Sequence, residues 1–494
     1  MKRTLSILLA LFMLMSVLLV SCGKDDSGNN VTENNNTVDT SDEGDGIPDE
    51  LDYGGTEVKI LVRDHVSRYG DWYNGENVEG DLTALQQKVY ERNVAVEGNL
   101  GVKLKFIQSE TGFNGATINN AIVNAFMGGL GDYDIVSNYQ HFGTSPTLLD
   151  CYMNLYNEQF KYFNFDHPYW NQNFIEGAEA FDRLFLVVGD MNLAVYKTAF
   201  TMYFNKTLCE AHGIKDTDLY GLVLDNKWTI EKLMEYTKNT QSIVDENDYL
   251  ANTYGLDTIY ESHAYDGWVA AFDCDLTATD SDGMHSLVSD SALQKLYDAA
   301  DLIANYYSRP EVILRKSLST NPESVFAKGN ALFGLFAIGE ASGFKDTMED
   351  EYGMLPMPKY TEDQTEYYGG VQDSHDAVSV IAHSDNSEHY EMISAVLEKM
   401  NSVSYTTVRP YFIETLVKFR YAQDMESGQV IDIILKGTRW DFSDIYAVST
   451  GEIRNNLWRV PLQKGDQISS KVGGQKDTVN ALLETLDTWL VEHY

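Results

Sequence analysis

The sequence predicts an α/β protein with two or more domains. Apolar and polar residues alternate over 57–63 and again over 102–106, which is typical of strands with one buried face. Apolar residues at helical spacing separate these two strands. A further strand begins at Phe200, and a helix follows it. The chain has 494 residues, which is enough for two or more domains.

Residues 1–22 have the pattern of a secretion signal. Lys2 and Arg3 supply positive charge, and the apolar stretch 5–20 is short for a membrane span. The stretch ends in Leu-Val-Ser-Cys, which resembles a bacterial lipobox with its cysteine at Cys22. We expect Cys22 to be lipidated and to anchor the chain at the extracytoplasmic face of the cell membrane. An ordinary signal peptide with a stray cysteine is the alternative.

Residues 23–55 are predicted to form an acidic, disordered tether. The segment is rich in Asp, Glu, Asn and Thr and poor in apolar residues, so it lacks the surface that a core requires. Such a segment would space a globular body from the membrane. The stretch from Asp42 to Asp49 resembles one acidic calcium repeat of the thrombospondin type 3 kind, but a single short copy favours plain linker.

Composition excludes some partners and leaves others open. The formal net charge is −39, which excludes nucleic acid and an anionic lipid surface because both require a basic face. The 31 Tyr and 7 Trp residues can build a core, and such rings also pack on the apolar C–H faces of sugars.

Three cysteines remain beyond Cys22, namely Cys151, Cys209 and Cys274. An odd number argues against a disulfide framework, so we expect small buried side chains. No Cys/His cluster has the spacing of a metal site, so no metal is predicted.

From residue 56 onward strands and helices alternate. The sequence predicts strands at 57–63, 102–106 and 133–136, with helices over 82–100 and 117–127 between them and a polar loop at 64–81. This order is typical of a parallel βαβαβ sheet covered by helices. A further strand is predicted at 183–188.

The stretch from Thr198 to Asn239 carries the most informative pattern. Phe200, Met202 and Phe204 alternate as in a strand with one buried face, and Asn205 can cap the helix that follows. Thr229 can cap a second helix, which would extend over 230–237.

Three pieces of this stretch carry a resemblance to a known family. Phe204-Asn205-Lys206, Gly213-Ile214 and Trp228-Thr229 resemble, in this order, the extracellular solute-binding proteins of ABC importers. The match is to family 1, the carbohydrate-type group. That resemblance implies a two-lobed periplasmic-binding-protein-like fold of type II, with each lobe a mostly parallel sheet flanked by helices.

The resemblance covers residues 56–494 and implies their organisation. The first lobe would comprise 56–190 with 356–402 returning to it, and the second lobe 191–355 with 403–494 returning. The chain would cross between lobes near Gly189 and again at Leu355-Pro-Met-Pro358, where two prolines favour an extended connection. Helices are predicted over 292–307 and near the end of the chain, and a cap at Asp385 to Ser387 for the helix after it.

No catalytic motif is present, so the chain is predicted not to be an enzyme and to need no cofactor. A Gly-x-Ser-x-Gly elbow, a His-Glu-x-x-His helix and a phosphate-binding Gly-x-x-x-x-Gly-Lys are all missing from the sequence. Carboxylate pairs carry no information in so acidic a chain.

A binding cleft is the better hypothesis. Ligands of open α/β sheets lie beyond the carboxyl ends of the strands, and the loop expected after 133–136 offers amide, hydroxyl and aromatic groups. The predicted ligand-binding residues are Asn138, Tyr139, Gln140, Asp190, Asn192, Trp268, Phe336, Glu340, Asp373, His375 and Trp440. Packed aromatics, turn residues or a structural histidine are the alternatives.

Taken together, the sequence predicts a lipid-anchored, monomeric solute-binding protein. It would deliver a small solute, a sugar or oligosaccharide, to an ABC permease by hinge closure. The chain has Phe336-Ala337-Ile338 where many family members have a Trp, and Gly189-Asp190 where they have a Pro. The alternatives are a peptide or cation as ligand, a glycan-degrading lipoprotein hydrolase, and an adhesin without a cleft.

Overall fold

The computed structural model of the chain describes residues 44–63, 83–109, 115–129, 131–259, 263–315, 324–340, 343–344, 347–383, 387–413 and 425–493. Its strands are β1 Thr56–Val62, β2 Val102–Gln108, β3 Ile135–Tyr139, β4 Phe200–Asn205, β5 Tyr254–Ile259, β6 Thr277–Thr279, β7 His285–Leu287, β8 Val312–Arg315, β9 Ala331–Ala337, β10 Tyr352–Leu355, β11 Gly369–Gly370, β12 Asp376–Val380 and β13 Thr438–Arg439.

Its helices are α1 Ala84–Leu100, α2 Gly115–Gly128, α3 Gln140–Gly143, α4 Gln172–Ala178, α5 Leu193–Thr198, α6 Lys206–Ala211, α7 Asp216–Leu224, α8 Ile230–Thr237, α9 His263–Ala271, α10 Asp290–Tyr307, α11 Ser387–Val403, α12 Met425–Lys436, α13 Phe442–Ile445, α14 Val460–Lys464 and α15 Ile468–His493. Short 3₁₀ turns occur at Ser145–Leu149, Tyr249–Ala251 and Ile338–Glu340, and π-helical turns at Ser404–Val408 and Asn455–Arg459. Among the described residues, no helix combines the length and apolar character needed to cross a membrane.

The first lobe contains a four-stranded sheet in the order β12-β3-β1-β2. β1 pairs in parallel with both β2 and β3, whereas β12 is antiparallel to β3. Helix α1 begins with a capping box from Thr83 and ends at Gly101, whose φ of 60° is readily adopted by glycine. The predicted βαβαβ order and the end of the helix at Gly101 are therefore confirmed.

The second lobe contains a five-stranded sheet in the order β10-β4-β9-β5-β8. β4 is antiparallel to β9 and β10, and β5 is parallel to β8 and β9. The first-lobe sheet is therefore mostly parallel, as expected, with one antiparallel edge strand, whereas the second-lobe sheet is evenly mixed and differs from the expectation. The two-lobed α/β architecture itself is confirmed.

The stretch around β4 shows what local sequence could and could not predict. The Asn205 side chain accepts a hydrogen bond from Leu208 N at 2.9 Å, and the Thr229 side chain accepts one from Lys232 N at 3.4 Å. Both predicted caps are confirmed. The prediction of a single buried face is wrong, because every residue of β4 is buried. Its central place between β10 and β9, with helices packed around the sheet, explains the difference.

Three predicted elements differ from the structure. Residues 183–188 form no strand and make only isolated bridges, such as Val187 to Val378 of β12. β3 extends to Tyr139, so Asn138 and Tyr139 lie in a strand and not in the loop expected there. The sequence around Trp268 also predicts a loop of the second lobe, but Trp268 lies in helix α9.

The predicted tether is partly wrong. Ile47 is buried in the core, and Asp45 pairs with Lys399 at 2.6 Å. A Cβ at Gly101 would lie 1.8 Å from Asp52 Oδ1, so this segment lies directly on the end of α1. Residues 45–55 therefore belong to the folded body, because Ile47 lies in an apolar site and Lys399 neutralises Asp45. Residues 1–43, with Cys22 and the first part of the acidic repeat, lie outside the described residues.

The segments that connect the lobes run side by side. Ala199 and Val371 form an antiparallel bridge, and Gln372 N donates to Thr198 O at 3.0 Å. Residues 356–370 pack on second-lobe elements; for example, Trp228 Nε1 donates to Pro356 O at 2.9 Å. The return to the first lobe thus begins near Val371, which differs from the crossing predicted at Leu355-Pro-Met-Pro358.

The C-terminal part of the chain contributes to both lobes. The turn at Ser404–Val408 continues α11 and packs on α1, whereas α12 packs on β10 and α15 packs on β7 and α10. The predicted return of all of 403–494 to the second lobe does not match the first of these contacts. The three cysteines beyond Cys22 are free and buried, as predicted. The predicted polar loop and most of the predicted Asp385 cap lie outside the described residues.

Candidate functional site

A cavity of about 470 Å³ lies beside Trp440. One wall is α4, which precedes the point where the chain first crosses between the lobes. The opposite wall comprises β6 and β7 together with the side chains of Tyr368 and Arg439. Phe174 of α4 also packs against His375 and Trp440. A volume of this size is in the range that small-molecule ligands occupy.

Trp440 lines two neighbouring cavities, which we call the two chambers of the site. It lines this cavity and also a smaller one bounded by His141, Asp373 and Arg459. Its side chain is buried, and its Nε1 has no hydrogen-bond partner among the described residues. Since a buried indole N–H is usually paired, Trp440 has a donor that an oxygen of a bound molecule can satisfy.

Arg439 and Tyr368 form the second recognition element of the larger cavity. The guanidinium lies 4.7 Å from the centre of the Tyr368 ring and forms a 2.6 Å ion pair with Asp275 and a shorter one with Asp273. These contacts fix the planar donor group, so its free edges can hydrogen-bond to a ligand without a large entropy cost.

Carboxylates dominate the charge of the larger cavity. Glu176, Glu179 and Asp275 line it together with the single cation Arg439. Asp441 is also there, but it accepts hydrogen bonds from Leu276 N and Thr277 N and so serves as a structural acceptor. The excess negative charge disfavours an anionic solute and suits hydroxyl-rich or cationic ones.

His285 in this cavity has a structural role. Its Nδ1 lies 2.7 Å from Asp487 Oδ1, and its ring stacks on Phe442 with 3.7 Å between ring centres. Because the ring is held on both sides, we do not assign it as a metal ligand.

Ion pairs across the smaller chamber connect the two lobes. His141 Nε2 lies 2.9 Å from Glu452, and Arg459 lies 3.7 Å from Asp373 and also pairs with Asp266. Burial alone would lower the pKa of His141, but its hydrogen bond to Glu452 and the charge of Asp373 raise that pKa above its ordinary value. The contact between His141 and Glu452 joins first-lobe helix α3 to the segment that contains Glu452.

Three predicted site residues line the smaller chamber, and a fourth hydrogen-bonds to one of them. The Tyr139 hydroxyl donates to Asp373 at 3.1 Å, and Gln140 Nε2 donates to Asp444 O at 2.8 Å. Gln140, Asp373 and Trp440 line the smaller chamber. The carboxyl end of β3 thus lies beside this chamber, the position that the general rule for α/β sheets favours for a ligand.

Other predicted site residues have structural partners. Asn138 Nδ2 donates to Asn119 at 2.8 Å, and Asn192 accepts from Gly189 N at 3.4 Å within a turn. His375 Nδ1 lies 2.8 Å from Gln372 O, and burial lowers its pKa to about 4. These contacts match the alternatives to ligand binding, in which the residues belong to turns or have structural partners.

Asp190 lies where the chain first crosses between the lobes, but its side chain is buried and lines neither chamber. It accepts a hydrogen bond from Tyr196 and lies 3.5 Å from Arg409. Burial raises its pKa to about 7, although the charge of Arg409 and the Tyr196 hydrogen bond act in the opposite direction. The group is therefore a buried element of the crossing segment.

Trp268, Phe336 and Glu340 do not lie at either chamber. Trp268 is fully buried and its Nε1 donates to Tyr307 at 2.6 Å, while Phe336 packs in a ring cluster with Tyr203. Glu340 is exposed on the turn after β9. Helix α9 and strand β9 direct the first two into the second-lobe core, which matches the alternative of packed aromatic residues.

Sequence reasoning missed Glu176, Asp275, Tyr368 and Arg439. Arg439 directly precedes Trp440 in the chain, so the prediction of Trp440 could have included its neighbour Arg439. Glu176 and Asp275 had no distinguishing local pattern in so acidic a sequence. Tyr368 reaches the site because the adjacent β11 pairs with β13, which is a long-range contact.

Comparison with known proteins supports the fold. No protein-family model matches the chain, and no curated protein sequence matches it. The structure is similar to the sugar-binding protein MalE from Xanthomonas citri, with a TM-score of 0.56, 12% identity, and 89% of this chain and 100% of that chain covered.

Two further solved structures are similar. One is an ABC transporter solute-binding protein from Thermotoga lettingae bound to α-D-tagatose, with a TM-score of 0.52 and 12% identity over 87% of this chain and 100% of that chain. The other is an ABC substrate-binding protein from Listeria monocytogenes in complex with cycloalternan, with a TM-score of 0.52 and 12% identity over 87% and 99%. At these identities the similarity establishes a two-lobed periplasmic-binding-protein-like fold.

Proposed function

We propose that this chain is the solute-binding protein of an ABC importer and that it binds a sugar or oligosaccharide beside Trp440. The observation that carries the proposal is a cavity of about 470 Å³ in a two-lobed fold, with a buried Trp440 whose N–H lacks a partner among the described residues. A sugar hydroxyl accepts as well as donates, so it can satisfy that N–H while its ring packs on aromatic surface.

The other lining groups support a neutral, hydroxyl-rich ligand. Arg439 supplies fixed donors, and Glu176, Glu179 and Asp275 supply acceptors. The tagatose- and cycloalternan-bound proteins with a similar fold are consistent with this class of ligand. The same carboxylates also suit an amine or another cationic solute, which is the second candidate.

We further propose how the protein is placed and used. The lipobox-like end of residues 1–22 supports lipidation at Cys22, and the acidic segment that follows would separate the body from the membrane. Binding would favour the closed arrangement of the lobes, and the closed, monomeric protein would present the solute to a membrane permease. The chain would release its ligand unchanged, so incubation with oligosaccharides should give no hydrolysis products.

The test is a calorimetric titration of the purified mature chain against a panel of mono- and oligosaccharides, polyols, peptides and polyamines. We expect one binding site per chain for at least one sugar. Replacing Trp440 by Phe keeps an aromatic ring but removes the N–H, so it should weaken that binding by about 5- to 10-fold, the value of one hydrogen bond.

Trp489→Phe is the matched control, because Trp489 lies in α15 and stacks on His493. It should leave the affinity unchanged. Binding of a polyamine or peptide without binding of any sugar would overturn the carbohydrate assignment and favour the second candidate. Equal affinities of wild type and Trp440→Phe for the selected sugar would overturn the site.

A further inference from the structure

Two histidines and a carboxylate meet in the first lobe, away from both chambers. Asp134 directly precedes β3, His383 follows β12, and His389 lies in the first turn of α11. One ligand atom from each residue lies within 4.8 Å of the others. The cluster is at the amino end of β3, whereas Tyr139 at the carboxyl end hydrogen-bonds to Asp373, which lines the smaller chamber. The two ends are separated by roughly 17 Å of strand.

The distances match those of a metal site. His389 Nε2 lies 3.4 Å and His383 Nε2 lies 3.8 Å from Asp134 Oδ1. In a tetrahedral zinc site with bonds of about 2.0–2.2 Å, neighbouring ligand atoms are roughly 3.4 Å apart. The three atoms thus need little movement to bind one ion.

The hydrogen bonds of the cluster leave a ligand atom available. His389 Nε2 is buried and forms no hydrogen bond with the described residues, which is unusual for a buried polar atom. Asp134 Oδ2 is oriented by Lys59 N at 2.7 Å, which leaves Oδ1 directed at the histidines.

We propose that Asp134, His383 and His389 bind a divalent transition metal ion of the zinc class. His383 Nε2 also contacts the carbonyl oxygen of Tyr133, and a metal bond at this nitrogen would replace that hydrogen bond. One carboxylate and two imidazoles are the donor set that zinc and its neighbours prefer over calcium or magnesium.

The ion would have a structural role. β12 is the edge strand of the first-lobe sheet, and the ion would connect its end to the start of α11 and to the residue before β3. It would therefore stabilise the first lobe without touching the solute. This inference does not depend on the proposed function.

The experiment uses the mature chain stripped of metal with a chelator and titrated with Co²⁺ as a probe. Tetrahedral Co²⁺ absorbs visible light much more strongly than octahedral Co²⁺, so a strong band that saturates at one ion per chain is the expected result. Zn²⁺ should displace Co²⁺ and raise the melting temperature. His383→Gln and His389→Gln should each weaken Co²⁺ binding by more than about 100-fold, since even outer-shell changes cost 10- to 100-fold.

His212→Gln is the matched control, because His212 is exposed and outside the cluster. It should leave Co²⁺ binding unchanged, and circular dichroism of each variant confirms that it is folded. Three results would overturn the site: no strong visible band from the wild-type chain, a band that persists in both cluster variants, or a sulfur-to-cobalt charge-transfer band that assigns the ion to a cysteine.

Discussion

Replacing Arg63 by Met should lower the free energy of unfolding by about 3–5 kcal/mol, because it leaves a buried carboxylate without its cation. Arg63 is 2% exposed, pairs with Asp376, and donates to Ser374 O at 2.6 Å. Its guanidinium also lies 4.9 Å from the centre of the Tyr139 ring. Chemical denaturation monitored by circular dichroism measures the change.

Two controls separate the buried charge from lost packing. The double variant Arg63→Met/Asp376→Asn removes both charges and should recover a substantial part of the lost stability. Lys88→Met removes an exposed cation from a 3.0 Å pair with Glu91, and such pairs contribute little. If Arg63→Met were as stable as Lys88→Met, the buried pair would not support the carboxyl end of β1.

Stability should fall between pH 7 and pH 5 by about 2 kcal/mol more in the wild type than in His375→Gln. Burial lowers the pKa of His375 to about 4, although the Gln372 carbonyl and Asp373 act in the opposite direction. In the unfolded chain its pKa is about 6.5. As the pH falls below 6.5 the unfolded chain takes up a proton that the folded chain does not, so the folded state loses relative stability.

Comparing the two proteins isolates this one group. Asp190, whose pKa is raised to about 7, makes the opposite contribution over this range, but it is present in both proteins and cancels in the difference. The measurement stops at pH 5 because the sequence pI is about 4.4. Parallel stability curves for wild type and His375→Gln would contradict a neutral, buried His375.

Elements whose signals are local could be predicted from the sequence. Asn205 and Thr229 cap their helices through contacts three residues away, and Gly101 ends α1 by its own conformation. Such signals require no knowledge of the rest of the fold. The two-lobed architecture came from the order of strands and helices together with the resemblance of the stretch around β4.

Long-range contacts account for what could not be predicted. β4 is buried on both faces because other parts of the chain cover it: the Tyr203 ring packs on Phe344, and the Phe204 ring packs on Tyr220. The acidic composition around Asp45 predicts a tether. Only the ion pair with the distant Lys399 shows that this segment is fixed on the folded body.

The candidate site illustrates the same limit. Tyr139, Gln140, Asp373 and Trp440 were predicted from strand ends and residue type, and the structure brings them together at the smaller chamber. Arg439 and Tyr368 meet through the pairing of β11 with β13, which no local pattern encodes. Asp134 and His383 are likewise distant in sequence, so spacing rules could not reveal their cluster.

Small-angle X-ray scattering of the mature chain, with and without a saturating concentration of the sugar selected by calorimetry, tests the central claim most directly. The account predicts a smaller radius of gyration with sugar, because a solute bound beside Trp440 favours closure of the two lobes. An unchanged radius with the sugar bound would contradict a binding protein that works by closing around its ligand.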